Sequence, residues 1–376
     1  MSKVKIFSIV PYTVLPAKMG GEKGIALFNE YLGQEAELTA IGTEGNDTTL
    51  AKTYQFLRVF PNSRTRYGNL FLFFKVKKLL KESGAQHFII EHPYYGWLAW
   101  MLRMATNAKW IVHSHNIEYQ RSRSIGRKWW PALKWYEKWV YRQADTVFFI
   151  SDDDRTYAVN SFGLKSEKTH TITYGIEIAA APNSKQEFKK TIAHRHGFDE
   201  QDRILLFNGA LYQNSNYEAL DVILEKINPV LEKAGIPYKI LICGKGLPDR
   251  YQELKGYANS NIVYPGFVDD ISEYFKAADI FLNPIMTGGG VKTKAIEAIA
   301  YGCKVISTQL GAMGIEAEVC GDQLVKLEDG NWTLFATTTV NSLPETGTTP
   351  ASFYEHYYWG HIAKKVVGII STIPHG

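Results

Sequence analysis

Cysteine is scarce in this chain: three occur in 376 residues, Cys243, Cys303 and Cys320. They lack paired spacing, which excludes a disulfide scaffold and a zinc module. No apolar run approaches the roughly 20 residues that span a bilayer. The opening MSKVKIFSIVPYTVLP is basic and then apolar, as a secretory leader would be. Pro11 breaks that short run and no small-residue cleavage site follows, so the stretch reads as a first buried strand. No repeat of solenoid period is present. GGEKG lacks the GxGxxG spacing and the ribose acid of a dinucleotide fold, which argues against a dehydrogenase. The basic residues come with no nucleic-acid-binding motif. These absences leave a soluble, cytoplasmic globular protein as the expectation.

What is present fits that class. Hydrophobic residues make up 45% and charged residues 21%, and 376 residues is about twice the usual domain length, so two domains are expected. The net charge of +4 conceals an asymmetry. Residues 1–180 hold 24 Lys+Arg against 16 Asp+Glu, a net of +8, and the remainder carries −4. The first half is expected to meet something anionic, a membrane surface or a phosphate-bearing substrate.

Short apolar runs alternate with helical patterns. Strand candidates are Val4–Val10, Phe88–Glu91, Trp110–His113 and Thr146–Ile150, then Ile204–Phe207, Lys239–Cys243, Ile262–Tyr264, Ile280–Asn283 and Lys304–Ser307. Between them lie helical stretches such as Gly24–Leu32, Leu70–Ser83, Pro131–Arg142, Tyr217–Ala234, Ile271–Ala277 and Lys294–Tyr301. This alternation predicts an α/β fold of two doubly wound parallel sheets, with ligands at the carboxyl ends of the strands. The break TYGIEIAAAPNSKQEFKK sets the expected domains at 1–180 and 181–352. A terminal helical segment, about 353–376, is expected to return to the first.

The segment TGGGVKTKAIEAIAYGCKVIS, Thr287–Ser307, carries the clearest chemistry. Glycines after a strand let backbone approach a ligand, and the amides of the following helix start point toward an anion. Lys292 and Lys294 add positive charge, and Glu297 is placed to accept hydrogen bonds from sugar hydroxyls. The plainer reading is a turn, a solvated basic helix start and a surface glutamate. In WIVHSHNIEYQR, His113 and His115 end a strand, where a histidine of near-neutral pKa would contact sugar hydroxyls or assist an acceptor. A histidine merely capping the strand is the competing reading.

This segment resembles the nucleotide-binding half of glycosyltransferase family 4, a group with the GT-B fold. FNGALYQNSNYEAL, ICGKG and VYPGFVDDISEYFKAADIFLNP resemble the family's donor-domain blocks. PYTVLPAKMGGEKGI, HSHNIEYQR and the pair FFIS and TYGIEI match the first half in order. The resemblance implies two Rossmann-like domains facing a cleft, donor bound mainly by the second and acceptor by the first. It also implies retention of anomeric configuration and no protein-bound metal or cofactor. Carried over by position, Glu297 would hold the ribose, the backbone at Val268 the base, and Gly290, Val291, Lys292 and Thr293 the diphosphate. Gly209 and Asn216 join the donor set, Gly20 and Gly21 approach it from the first domain, and Lys292, Lys294 and His115 are the catalytic candidates. Asn116 and Glu118 shape the acceptor pocket.

Two positions depart from the family. Gly289 stands where many members carry a second glutamate on the donor sugar, and Ala210 where many carry an arginine on the diphosphate. The implied activity is transfer of a sugar from a nucleotide-diphosphate sugar to a hydroxyl of a glycan or lipid-linked glycan, in cell-surface polysaccharide synthesis. A nucleotide-sugar epimerase and a non-catalytic nucleotide- or glycan-binding protein are the alternatives. Arg121–Arg142 holds seven basic residues and four tryptophans against one acid, Glu137. That composition suits peripheral contact with an anionic membrane at the inner face, against an ordinary helix with a solvated basic side. His356 and His361 in the terminal stretch read as packing or surface residues.

Overall fold

The computed structural model describes residues 3–257, 261–345 and 347–373. The chain divides into two compact units, Met1–Glu177 with Tyr357–Gly376, and Ile178–His356. The last three residues of the expected 353–376 segment lie outside the described residues.

The first unit contains β1 (Lys5–Ile9), α1 (Gly20–Glu35), β2 (Glu37–Thr43), β3 (Gln55–Phe60), α2 (Leu72–Ser83), β4 (His87–Glu91) and α3 (Gly96–Ala105). It continues with β5 (Lys109–Ser114), α4 (Glu118–Ser124), α5 (Trp130–Gln143), β6 (Thr146–Phe149), α6 (Asp152–Phe162) and β7 (Thr169–Thr171). The seven strands pair in parallel in the order β3-β2-β1-β4-β5-β6-β7. Side chains alternate across this sheet with period two. Phe7, Ile9, Phe88, Ile90, Trp110, Val112, Val147 and Phe149 enter the core beneath α2, α3, α5 and α6. Ile6, Ile89, Ile111 and Phe148 face the other side, beneath α1. With both faces covered, the strands read as nearly continuous apolar runs, and each large side chain so buried contributes about 1.5–3 kcal/mol.

The second unit runs α7 (Lys185–His196), β8 (Arg203–Asn208), α8 (Asn214–Val222), α9 (Asn228–Lys233), β9 (Tyr238–Cys243), β10 (Ile262–Gly266), α10 (Ile271–Ala277) and β11 (Ile280–Asn283). Then follow α11 (Thr293–Ala300), β12 (Lys304–Thr308), α12 (Ala317–Cys320), β13 (Leu324–Leu327), α13 (Trp332–Ser342) and α14 (Ala351–Tyr357). Its six parallel strands lie in the order β10-β9-β8-β11-β12-β13. The stretch expected as one helix over Tyr217–Ala234 is α8 and α9 joined through a π-helical turn, Ile223–Ile227, with Pro229 at the start of α9.

After α14 the chain returns to the first unit through α15 (Trp359–Thr372). Tyr358 bridges to Ile176, and Trp359 donates its backbone N–H to the Ile176 carbonyl at 3.0 Å. The Trp359 ring seats against Phe28 of α1 and Tyr174, with centroids 6.3 and 5.7 Å apart. Gly175 is required below it, because a Cβ there would lie 2.4 Å from the indole.

In each sheet the strand order reverses once, between β1 and β4 and between β8 and β11. Crevices outside the carboxyl ends of such strand pairs are where doubly wound sheets bind ligands.

Candidate functional site

In the second unit the reversal brings the end of β8 beside the glycine loop that follows β11. Lys294, in the first turn of α11, points its Nζ back into this crevice. It donates to the Asn208 carbonyl and to Asn216 Oδ1, each at 3.0 Å, and lies 4.8 Å from the centre of the Phe207 ring. Asn216 is fixed in turn by its own amide on the Ala210 carbonyl at 3.0 Å. Burial, with the nearby charge of Lys292, brings the Lys294 pKa down to about 7. Lys292 donates to the carbonyls of Gly288, Gly289 and Gly290, each at 3.1 Å, and burial lowers its pKa to about 8. Gly288 and Gly290 have φ of 90° and 78°, a conformation that glycine adopts without strain.

The remaining donor candidates lie along the same carboxyl edge. Gly209 donates its N–H to the Cys243 carbonyl, and Gly244 donates to Gly266, linking the ends of β8, β9 and β10. A Cβ on Gly244 would fall 1.9 Å from the Gly209 carbonyl oxygen, so the close approach of these two turns demands glycine. Val268 is half-buried in the loop after β10, and Val291 and Thr293 are half-buried at the start of α11. Glu297 is half-buried one turn further along α11. Lys292, Lys294, Gly209 and Asn216 are therefore brought together around the β8–β11 crevice. Ala210 contributes only its carbonyl, and Gly289 leaves open space where a side chain would be.

In the first unit, parallel register sets Glu91, the last residue of β4, opposite His113 of β5. Glu91 Oε2 meets His113 Nδ1 at 3.0 Å and His115 Nε2 at 2.7 Å. Burial acts to raise the Glu91 pKa, but the two imidazoles outweigh it and bring it to about 2. The donor atoms of these three residues lie within 4.8 Å of one another, a His2Glu set of the kind that can hold a divalent cation. The imidazole–carboxylate contacts account for the arrangement in their own right. Burial and the neighbouring His113 and His92 push the His115 pKa down to about 3. The expectation of a near-neutral histidine is thus corrected. His115 is a neutral, oriented hydrogen-bonding group, and a poor proton acceptor at neutral pH.

Beside it is a cluster that sequence reasoning missed. His92, one residue past β4, has φ 66° and ψ 162°, a region that costs a non-glycine residue about 1–3 kcal/mol. Its Nδ1 lies 3.1 Å from Glu118 Oε1 and its Nε2 2.8 Å from the Tyr12 hydroxyl. Tyr94 stacks on the ring at 5.1 Å, and His115 packs 4.5 Å away. Burial opposes ionisation of Glu118, but His92, Arg121 and Tyr94 outweigh it and lower its pKa to about 2. Glu118 is therefore a buried carboxylate committed to His92, and its contact with any acceptor would be indirect. Asn116 accepts from the Ser114 hydroxyl at 2.9 Å through its carbonyl. Gly20 and Gly21 open α1 and are exposed, and Glu22 accepts from the amides of Lys18 and Met19 just before them.

Glu137, the single acid of the basic stretch, is fully buried. It accepts the N–H groups of Glu118 and Tyr119 at 2.8 and 3.1 Å and the Tyr141 hydroxyl at 2.8 Å, and burial lifts its pKa to about 8. The stretch is two helices, α4 and α5, with Trp129 and Trp135 exposed and Trp130 and Trp139 packed against the core.

Residues 20–180 match the profile described as Glycosyltransferase Family 4, and residues 202–343 match that described as Glycosyl transferases group 1. The chain belongs to glycosyltransferase family 4. Its fold is that of GT-B enzymes. A glycosyltransferase from Rickettsia africae ESF-5 superposes with a TM-score of 0.74 at 17% identity, over 99% of both chains. Anabaena Alr3699/HepE, solved with UDP and glucose, superposes with a TM-score of 0.67 at 12% identity, over 98% of this chain and all of the other. Among curated sequences, an uncharacterized 44.6 kDa protein of the Klebsiella pneumoniae cps region is 30% identical over 151 residues, and the match spans 38% of each chain. The O-antigen biosynthesis glycosyltransferase WbnH of Escherichia coli is 22% identical over 305 residues, 80% of this chain and 81% of that protein. The family signature in this chain, GGGVKTKAIEAIAYG, falls on the glycine loop and α11, and HSHNIEYQR on the end of β5 and the start of α4.

Proposed function

We propose that the chain is a retaining glycosyltransferase that moves a sugar from a nucleotide-diphosphate sugar to a hydroxyl of a glycan or lipid-linked glycan in cell-surface polysaccharide synthesis. The observation that carries this reading is the convergence of Lys292, Lys294 and the first amides of α11 at the β8–β11 crevice. Two partly desolvated ammonium groups and a helix N-terminus suit a diphosphate, and they stabilise negative charge most where water is excluded. HepE, solved with UDP and with UDP-glucose, supports the same class of donor. Relatives in O-antigen synthesis support the class of product.

In this reading Lys292 exchanges the carbonyls of Gly288–Gly290 for phosphate oxygens, and Glu297 holds the ribose. The bond from the anomeric carbon to the diphosphate oxygen breaks as the acceptor oxygen attacks the same face. The acceptor proton passes to the leaving phosphate, so no protein carboxylate serves as nucleophile. His115 orients the reacting groups by hydrogen bonding. No protein-bound metal takes part, and the outward basic and aromatic side of α4 and α5 meets an anionic membrane that carries the acceptor.

The test is transfer from labelled nucleotide sugars with Glu297→Ala beside the parent. Loss of donor affinity with folding intact is expected. Unchanged affinity would remove Glu297 from the donor site. Product formation from donor alone, with epimerised sugar, would favour the epimerase.

A further inference from the structure

Three neighbouring helices of the first unit carry large apolar side chains on their outer sides. α2 sends Leu72, Val76 and Leu80 into the core, and α3 sends Leu98, Ala99 and Leu102. The opposite side of α2 begins with Leu70, Phe71 and Phe74, and the two rings are 82% and 69% exposed. Trp100 and Met104, one turn apart on α3, are exposed, as is Trp135 on α5. α3 packs against both α2 and α5, and the Trp100 ring lies 6.3 Å from that of Trp139. Exposed apolar residues scattered singly need no explanation. A row of them across adjacent helices marks a surface that something covers.

The charges on this face identify the cover. The exposed charged residues of α2, α3 and α5 are Lys75, Lys78, Lys81 and Arg142 against Glu82, which lies 3.7 Å from Lys78. A second copy docked on the same face would set lysines against lysines. An anionic lipid surface has the complementary charge, and beneath it the apolar layer that the rings need.

The order of residues along α2 fits such an interface. Phe71 caps the helix and Phe74 lies in its first turn, with the lysines following. Lys78 and Lys81 stand roughly 6 and 10 Å behind Phe74 along the axis, which matches the roughly 5–10 Å to which interfacial helices bury their apolar side. The start of α2 is also tied down. Arg66, in the turn Arg64–Gly68 before it, donates its Nε to the Pro11 carbonyl at 3.0 Å, and the Tyr67 hydroxyl donates to the same oxygen at 3.2 Å. Trp97 Nε1 bonds the Tyr67 carbonyl at 2.8 Å. Pro11 lies in the loop after β1, so the apolar tip and the β1–β4 crevice share one edge of the sheet.

We propose that the outer face of α2 and α3 inserts into an anionic bilayer. Leu70, Phe71 and Phe74 enter the boundary between headgroups and acyl chains, and Lys75, Lys78 and Lys81 meet the lipid phosphates. Insertion there brings the β1–β4 crevice to the level of an acceptor carried on a lipid. The inference rests on the membrane contact proposed above and extends its apolar anchor from α5 to α2.

The experiment uses Phe71→Cys, labelled at the new thiol with an environment-sensitive dye; Cys243, Cys303 and Cys320 are buried. On phosphatidylcholine vesicles containing phosphatidylglycerol, the dye emission is expected to shift blue and to be quenched by spin-labelled acyl chains. Phe71→Ser with Phe74→Ser is expected to weaken vesicle binding tenfold or more at an unchanged melting temperature, since both rings lie outside the core. Sedimentation with the vesicles but an unmoved dye would overturn the inference and leave the α4–α5 contact standing. No sedimentation of the parent protein would remove both. Dimerisation without lipid, abolished by the same double substitution, would also overturn the inference, because a second copy would then be the cover.

Discussion

The ammonium group of Lys294 donates to the backbone carbonyl of Asn208 at 3.0 Å, tying the first turn of α11 to the end of β8 across the crevice where the strand order reverses. A lysine in that position is a structural tie and, in the proposed function, a charge held ready for an anion. Removing it does two things at once. Lys294→Met is expected to weaken nucleotide diphosphate binding by tenfold or more, since a hydrogen bond to a charged group is worth about 1.5–3 kcal/mol. Calorimetry checks this, and an unchanged dissociation constant would place the diphosphate elsewhere.

The two lysine pKa values give a pH dependence with a definite sign. Folding depresses them to about 7 and about 8, and a bound diphosphate, favouring the charged form, raises them again. Affinity is therefore highest below pH 7 and declines as the pH rises through 7 and 8. At pH 8, where the nucleotide is already ionised, binding takes up protons. Calorimetry in two buffers of different ionisation enthalpy measures the uptake directly. Proton release, or none, would contradict the assignment.

Much of the fold is legible in the sequence, and the reason is periodicity. β11 and α10 occupy the expected Ile280–Asn283 and Ile271–Ala277, because buried parallel strands and amphipathic helices leave strong local patterns. β2, β3, β7 and β13 leave weaker ones. Glu37–Thr43 and Gln55–Phe60 mix polar and glycine residues into the run, and Thr169–Thr171 is a three-residue edge strand. Candidate site residues in one contiguous motif, such as Lys292 to Glu297, can be read directly. Glu91 and His92 cannot. Their partners come from register with β5, from α4 and from the loop after β1, and a positive φ at a histidine has no sequence signature. The depressed His115 pKa has the same origin, since it depends on burial and on neighbours distant in sequence.

Docking of α15 on α1 is a stability determinant. Trp359 is buried against Phe28, Tyr174 and Gly175, so Trp359→Ala is expected to cost about 3–5 kcal/mol. Urea denaturation followed by circular dichroism reads this, and a loss below about 1 kcal/mol would mean that the helix is dispensable.

The proposed membrane contact also has a direct assay. With Glu137 turned inward, the outward side of α4, α5 and the loop between them exposes Arg121, Arg123, Arg127, Lys128 and Arg142 together with Trp129 and Trp135. The protein is expected to sediment with phosphatidylcholine vesicles containing phosphatidylglycerol and not with pure phosphatidylcholine. A Trp129→Ser, Trp135→Ser variant should lose most of that binding. Equal partitioning of the variant would exclude this surface.

Glu91 engages two imidazoles through one oxygen, and in the proposed mechanism no metal takes part. Dialysis against a chelator is expected to leave donor binding and melting temperature unchanged. A fall in either, restored by a divalent cation, would show that the His2Glu set holds a metal.

The most direct test of the account is a melting-temperature screen against UDP, GDP, dTDP, CDP and ADP, repeated on a Lys292→Ala, Lys294→Ala variant. A ligand that binds the folded state raises the melting temperature by mass action. A clear rise with one nucleotide, fixing the base, and its loss in the variant are expected. No rise with any nucleotide in the parent protein, or an undiminished rise in the variant, would contradict it.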